Sequence, residues 1–146
     1  MDGPARPLAL DDHLCFAIYS AGLAINRAYK PLLDALDLTY PQYLVLVTLW
    51  KKDALTIGAI AEQLSLDSST ITPVVKRLLT AGLIARARNP EDDRQVIIRL
   101  TDKGHEMQER STCISETLLA KSGLSIDAIE KLNQQVSALR DAIAHA

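Results

Sequence analysis

Cys15 lies close to the N-terminus in an apolar run, with a tyrosine four residues after it. Residues four apart share a face of an α-helix, so a helical run would place Cys15 beside Tyr19. Cysteine reacts as its thiolate, which free backbone N–H groups near a helix start favour. Asp11 and Asp12 act in the opposite direction, so the sequence leaves the pKa of this thiol open. On pattern alone, the commoner fate of a free cysteine is that of a small buried apolar residue.

Tyr29 follows Cys15 by 14 residues and falls on nearly the same helical face. At 1.5 Å per residue the two residues are about 21 Å apart along the axis, so they cannot touch within one straight helix. They can meet if the first helices of two chains pack antiparallel, so that each cysteine faces the other chain's tyrosine.

The spacing of apolar residues predicts a mainly α-helical chain with one β-hairpin. The first helix should begin at Asp11 or Asp12 and be kinked by Pro31, which lacks a backbone donor. Two further helices are predicted to start after Pro41 and after Thr101, and the helix after Thr101 should reach about Ala120. Three more should cover Thr56–Leu64, Ser68–Ala81 and Ile126–Ala144. The predicted strands lie near 83–88 and over 95–100, joined by the polar turn N-P-E-D-D-R.

Helix, short turn, helix and hairpin over about 41–101 is the order of a winged helix-turn-helix. Hydroxyl side chains at the start of the second of these helices could reach base edges, and basic side chains further along could reach phosphates. The DNA contacts predicted from this pattern are Ser68, Ser69, Thr70, Thr72, Lys76, Arg77, Arg86, Arg88, Arg94 and Arg99.

Positive charge is concentrated in this region of an otherwise acidic chain. Of 146 residues with a net charge of −2, residues 68–99 carry six basic and three acidic side chains, a net charge of +3. The remainder therefore carries −5, which suits local contact with DNA. The alternative interpretation is a solvated basic surface without a nucleic-acid partner.

Composition excludes several classes of protein. With 48% hydrophobic and 23% charged residues the chain can bury a core, and its length suits one domain, 1–146. Neither a membrane-spanning run nor a signal peptide is evident, which predicts a cytoplasmic protein. Two cysteines are too few for a disulfide framework. The three histidines are too scattered for a metal site and no catalytic set is recognisable, so we expect neither a cofactor nor an enzyme.

The run D-S-S-T-I-T-P-V-V-K-R-L, followed by G-L-I-A-R and D-D-R…I-R-L-T, resembles the recognition helix and wing of the MarR family of bacterial regulators. The resemblance extends from Leu14 to about Leu139. It implies that Arg94 enters the DNA minor groove, where the negative potential attracts a guanidinium, and that Asp92 holds it by a salt bridge. The alternative for Asp92 and Asp93 is ordinary turn chemistry.

The N-terminal half is similar to one group of that family, the organic hydroperoxide resistance regulators. The runs L-C-F-A-I-Y-S-A, Y-K-P-L-L-D and L-T-Y-P-Q-Y match that group's sensing cysteine and its aromatic surroundings, here Cys15, Tyr19, Tyr29, Tyr40 and Tyr43. The resemblance implies a homodimer in which Tyr29 and Tyr40 donate hydrogen bonds to the other chain's Cys15 thiolate. The tyrosines could also simply pack the dimer core.

The expectation is a homodimeric repressor of an inverted-repeat operator, with dimerisation helices at about 11–38 and 102–146. An organic hydroperoxide would oxidise Cys15 to a sulfenic acid, then to a mixed disulfide with a small thiol or an over-oxidised form, and DNA would be released. Cys113 is a possible second thiol, but the group's second cysteine lies nearer Ala120, which favours a structural role. Two alternatives stay open: a regulator of the same fold that binds a small phenolic ligand, with Cys15 structural, and a thiol peroxidase.

Overall fold

The computed structural model describes residues 9–145, and its fold is the predicted helical one with a single hairpin. A short 3-10 turn, Leu10–Asp12, precedes the first α-helix. The elements that follow are α1 (Leu14–Ala35), α2 (Tyr40–Lys51), α3 (Ile57–Gln63), α4 (Ser68–Thr80), β1 (Ile84–Asn89), β2 (Asp92–Leu100), α5 (Asp102–Arg110), α6 (Thr112–Ser122) and α7 (Ile126–Ala144).

Several helices begin where a hydroxyl side chain caps them. Thr39 forms a capping box with Gln42, in which each side chain accepts from the other residue's backbone N–H. This box starts α2 at Tyr40, one residue before Pro41. Thr56 and Ser125 each accept from the backbone N–H three residues on and so fix the starts of α3 and α7.

The first helix begins later than the sequence predicted. Asp11 and Asp12 lie in the 3-10 turn, and the N-cap residue of α1 is His13, whose side chain makes no capping bond. The prediction that an aspartate caps α1 is therefore wrong. Pro31 lies inside α1, which continues through it to Ala35.

Two further boundaries differ from the prediction. The single helix expected from Thr101 to about Ala120 is interrupted at Ser111, whose hydroxyl donates to the Gln108 carbonyl oxygen at 2.9 Å and so competes with the regular helical bonds. The second strand starts at Asp92, because Asn89 pairs with Asp92 after a register shift and only Pro90 and Glu91 are left to turn the chain.

Helix α2 is the centre of the core. Its Val45, Leu46 and Leu49 are fully buried and pack among α1, α3, α4, α5 and β2. Helix α4 turns its apolar face toward them through Ile71, Val74, Val75 and Leu78. This packing leaves the opposite, polar face of α4 in solvent.

Contacts distant in sequence fix the hairpin and α5 to the end of α2. An Asp53 carboxylate oxygen accepts from the Leu100 backbone N–H at 3.0 Å, and Leu55 forms a β-bridge with Ile98. The Trp50 indole N–H donates to the Gly104 carbonyl oxygen at 2.9 Å. Gly104 itself lies so close to the residue that precedes β1 that an added Cβ would collide with the Leu83 carbonyl oxygen.

The terminal helices leave much apolar surface uncovered. No residue of α7 is buried, and its Ile126 and Ile143 are 62% and 67% exposed. The first half of α1 is similar, with Leu14, Phe16 and Ile18 in solvent. Exposed apolar surface on this scale is typical of helices that pack against a further chain. Within residues 9–145, no helix is both long and apolar enough to cross a membrane.

Candidate functional site

Four aromatic rings form a chain that runs from α1 along α2. The ring centroids are 5.8 Å apart between Tyr29 and Tyr40, 6.2 Å between Tyr40 and Tyr43, and 6.1 Å between Tyr43 and Trp50. These separations are within the range of favourable aromatic pairs. We call these four residues the aromatic cluster.

The connection between α1 and α2 brings the cluster together. Asp37 adopts a left-handed conformation (φ 57°) in a tight turn, which lets α2 fold back on α1. Tyr40 then stands at the first position of α2 and faces Tyr29 of α1, with Tyr43 one turn further on. Tyr29 is buried, with only 7% of its surface exposed.

Burial raises the pKa of the three cluster tyrosines above the ordinary phenol value of 10.0. For Tyr29 the charges of Tyr40 and Tyr43 add to this effect. Each phenol therefore keeps its proton at neutral pH and can donate a hydrogen bond. A thiolate brought to this cluster would be stabilised, because hydrogen bonding to the charged form of a group favours that form.

We expect the folded protein to lose stability as the pH rises above about 10. The pKa values of Tyr29, Tyr40 and Tyr43 are raised only in the folded state, which therefore holds more protons than the unfolded chain in this range. Their contribution to the free energy of unfolding is fully present below the tyrosine pKa of the unfolded chain. It is lost as the pH rises through the tyrosine pKa of the folded protein. Urea midpoints at pH 8 and pH 11 measure the loss, which Tyr40→Phe should reduce. Tyr19 is 67% exposed, so Tyr19→Phe should leave the loss of stability between the two pH values unchanged. If Tyr19→Phe reduced that loss as much as Tyr40→Phe does, burial of the phenols would not be its cause.

Cys15 lies at the opposite end of α1 from the cluster. It is the second residue of that helix and is exposed, and Tyr19, one turn further on, is also exposed. The structure brings together Tyr29 and Tyr40 but does not bring Cys15 to them within one chain. The thiol and the phenols can therefore meet only between two chains.

Cys113 lies close to the aromatic cluster. It is exposed in the first turn of α6, with Sγ 3.7 Å from the Arg110 carbonyl oxygen. After burial and the charge of Tyr40, its thiolate is the third cause of the raised pKa of Tyr43. No local pattern could predict this proximity, since the two residues lie 70 positions apart in the chain.

The start of α4 presents a polar, exposed surface. Ser68, Ser69 and Thr70 form its first turn, and Lys76 and Arg77 follow on the solvent side. Thr72 is only half-exposed, and its hydroxyl donates to the Ser68 carbonyl oxygen at 2.8 Å, so its donor is occupied. The other residues leave their side chains available to a partner.

The hairpin carries an arginine at its tip. The Arg94 side chain is 95% exposed, and its Nε lies 3.6 Å from an Asp92 carboxylate oxygen that also accepts from the Arg94 backbone N–H. The ion pair expected from the resemblance is therefore present. Arg86, Arg88 and Arg99 are exposed on the strands and make no ion pair within the described part of the chain. Residues 9–145 contain no cluster of three or more His, Cys, Asp or Glu that could hold a metal ion.

Comparison with known proteins agrees with this arrangement. Residues 27–110 match the model of the SarA/Rot family of transcriptional regulators. The chain is 46% identical over 139 residues to the organic hydroperoxide resistance transcriptional regulator of Bacillus subtilis, covering 95% of this chain and 92% of that protein.

Two solved structures are informative. Reduced AbfR of Staphylococcus epidermidis bound to DNA has a TM-score of 0.74 and 34% identity, covering 92% of this chain and 94% of AbfR. AbfR is also known in an over-oxidised form bound to DNA and with a disulfide formed. PcaV of Streptomyces coelicolor, in complex with its natural ligand, has a TM-score of 0.80 and 27% identity, covering 95% of this chain and 99% of PcaV. The chain belongs to the MarR-type family of winged-helix transcriptional regulators and is similar, within it, to the organic hydroperoxide resistance regulators.

Proposed function

We propose that this protein is a homodimeric repressor that releases its operator when an organic hydroperoxide oxidises Cys15. One observation carries the proposal: an exposed thiol lies at one end of α1, and two packed phenols, the buried Tyr29 and the partly buried Tyr40, lie near the other. The name of the Bacillus subtilis relative supports the class of oxidant.

The two ends of α1 meet if two chains pair about a two-fold axis with their first helices antiparallel. The exposed apolar side chains at the start of α1 supply surface for such a contact, and those of α7 extend it. In this arrangement each Cys15 faces Tyr29 and Tyr40 of the partner subunit. Their protonated hydroxyls donate to the thiolate and favour its ionised form.

The chemistry is a two-electron oxidation of sulfur. The Cys15 thiolate attacks the outer peroxide oxygen, the O–O bond breaks, and an S–O bond forms to give a sulfenic acid. The organic oxygen leaves as an alkoxide and takes a proton from solvent to become an alcohol. A second thiol then displaces water from the sulfenic acid to form a disulfide. This thiol is either a small cellular thiol or the partner subunit's Cys113.

Disulfide formation, rather than oxidation alone, is the step that releases DNA. A sulfenic acid adds one oxygen atom, which a pocket bounded by phenols can still accommodate. A disulfide instead adds a bulky group or links two helices covalently, so the interface between the two chains must rearrange. The distance between the two DNA-binding helix-and-hairpin units then changes. The relative AbfR supports this order, because its over-oxidised form has been obtained on DNA.

Mass spectrometry of the intact reduced protein after one equivalent of cumene hydroperoxide tests the proposal. We expect one oxygen per chain on Cys15 without a small thiol, or a chain-to-chain bridge if Cys113 resolves it. With added cysteine we expect a mixed disulfide. In parallel, binding is measured to a duplex selected from a random-sequence pool by the reduced protein. No mass change at Cys15, or full DNA binding by the disulfide form, would contradict the proposal.

The same experiment separates the other functions. A thiol peroxidase would consume many equivalents of hydroperoxide in the presence of a reductant, whereas a sensor reacts once per chain before it is reduced again. A regulator that responds to a small ligand is favoured by a cavity of about 400 Å³ between α2 and the α5–α6 junction, lined in part by Tyr43 and Trp50. Such a regulator would leave DNA on addition of a phenolic compound without any change in mass.

A further inference from the structure

Asp53 joins three parts of the fold through one carboxylate. The residue lies just after α2 and is partly buried. Its Oδ1 accepts hydrogen bonds from two backbone N–H groups, that of Ala54 at 2.8 Å and that of Leu100, the last residue of β2, at 3.0 Å. Its Oδ2 lies 3.8 Å from Nε2 of His105 on α5. The carboxylate therefore connects the end of α2 with the hairpin and with α5.

The bond to Ala54 holds a sharp turn in the backbone. Ala54 adopts a left-handed conformation, with φ at 61°, which is unfavourable for a residue with a Cβ because the Cβ crowds the backbone. The turn directs the next residue, Leu55, alongside β2, where its N–H and carbonyl groups bond to Ile98 at 3.1 and 2.8 Å. Strain of this kind persists where the surrounding structure compensates for it, and here the Asp53 carboxylate does so.

The hairpin takes its direction from this end, which we call its base. Ile98 and Leu100 are buried at the base, whereas no residue over 85–95 is buried. Arg94 lies six residues from Leu100, which is about 20 Å at roughly 3.4 Å per residue. A tilt of about 10° at the base would move its guanidinium by about 3.5 Å, more than half of the minor-groove width of about 6 Å.

We propose that Asp53 is a positioning residue that sets the angle of the hairpin so that Arg94 meets the minor groove. The inference rests on the proposed function, in which Arg94 contacts operator DNA. Asp53 acts through the backbone of Leu100 and needs no contact with Arg94 or with DNA. Hydrogen bonds from N–H groups to a charged oxygen are stronger than those to a neutral one, which suits a fixed joint.

The test begins with two substitutions of Asp53. Asp53→Ala removes both backbone bonds and should weaken binding to the selected duplex by about tenfold. Asp53→Asn keeps an acceptor oxygen and should stay within about threefold of the wild type. Both variants lose one negative charge, which by itself would strengthen binding to DNA. A loss confined to Asp53→Ala therefore reports the angle of the hairpin and not the charge.

Two further measurements separate positioning from a loss of stability. In the Arg94→Ala background, Asp53→Ala should weaken binding by no more than about twofold further, because it acts through Arg94. At saturating protein, Asp53→Ala should lose the protection of the minor groove from hydroxyl radicals, as Arg94→Ala does. It should keep the protection of guanine N7 from dimethyl sulfate in the major groove, where α4 binds. A partly unfolded protein would lose both protections.

His105→Gln is the matched control. It changes the group beside the other oxygen of Asp53 and leaves the bond to Leu100 intact, so the affinity of the wild type should be kept. If Asp53→Ala is unfolded at the assay temperature, the double variant Asp53→Ala/Ala54→Gly replaces it. Glycine suits a φ of 61° and should recover stability without recovering affinity.

Three outcomes would overturn the inference. They are an unchanged affinity in Asp53→Ala, a loss that multiplies with that of Arg94→Ala, and a loss in Asp53→Asn or His105→Gln as large as that in Asp53→Ala. Each leaves the proposed function intact as long as Arg94→Ala weakens binding. If Arg94→Ala binds the duplex as the wild type does, the contact of Arg94 with DNA is itself wrong.

Discussion

Replacing Cys15 by serine should abolish the response to hydroperoxide while preserving DNA binding. Serine has nearly the same size but cannot form a sulfenic acid or a disulfide, so the variant has no route into the oxidised state. We expect hydroperoxide and a small thiol to weaken operator binding of the wild type by about 100-fold, a free energy of roughly 3 kcal/mol. The serine variant should bind within about threefold of the reduced wild type before and after treatment, as measured by fluorescence anisotropy on the selected duplex.

Cys113→Ser is the matched control for this experiment. It removes the other thiol but leaves the first oxidation step intact, so Cys15 should still gain one oxygen from one equivalent of hydroperoxide. With a small thiol present, this variant should also still leave DNA. If Cys15→Ser leaves DNA on treatment and Cys113→Ser does not, the two cysteines have been assigned the wrong way round.

Replacing Arg94 by alanine should weaken operator binding by about 10- to 100-fold, which corresponds to about 1–3 kcal/mol. The side chain stands at the hairpin tip with 95% of its surface exposed and is positioned by Asp92. An exposed guanidinium placed there suits insertion into a narrow minor groove, where the potential is strongly negative. The thermal midpoint should hardly change, because an exposed ion pair contributes little to stability.

The control for Arg94 is an arginine far from the hairpin. Arg140 on α7 is also exposed and paired with a neighbouring carboxylate, Asp141 at 3.0 Å, so Arg140→Ala removes the same charge without touching the wing. It should leave DNA binding unchanged. Asp92→Asn should cause a smaller loss of operator affinity than Arg94→Ala, because it removes the ion pair but keeps the guanidinium. Equal affinities for wild type and Arg94→Ala would show that the wing does not contact DNA as proposed.

Local patterns predicted most of the elements because their causes are local. Thr56 and Ser125 each cap a helix through a hydrogen bond within its first turn. Gly82, whose φ of 76° suits glycine, follows the end of α4, where the sequence predicted that this helix ends. The recognition helix and hairpin follow from short-range apolar spacing as well. The errors are at boundaries: Ser111 interrupts the expected long helix, and Asp92 extends the second strand into the expected turn. There, single side-chain bonds outweigh the average preference of the segment.

The sequence by itself determined the chemical types: a cysteine beside a tyrosine on one helix, a hydroxyl-rich helix start, and a positive region in an acidic chain. Only the tertiary structure decided which of these meet. It placed Cys113 near Tyr43, bonded Trp50 to Gly104, and joined Asp53 to Leu100 across 47 positions. It also left the apolar side of α7 uncovered. The reason is physical: spacing along a chain fixes which face of a helix a residue occupies, whereas contacts between distant residues depend on how the core packs the helices together.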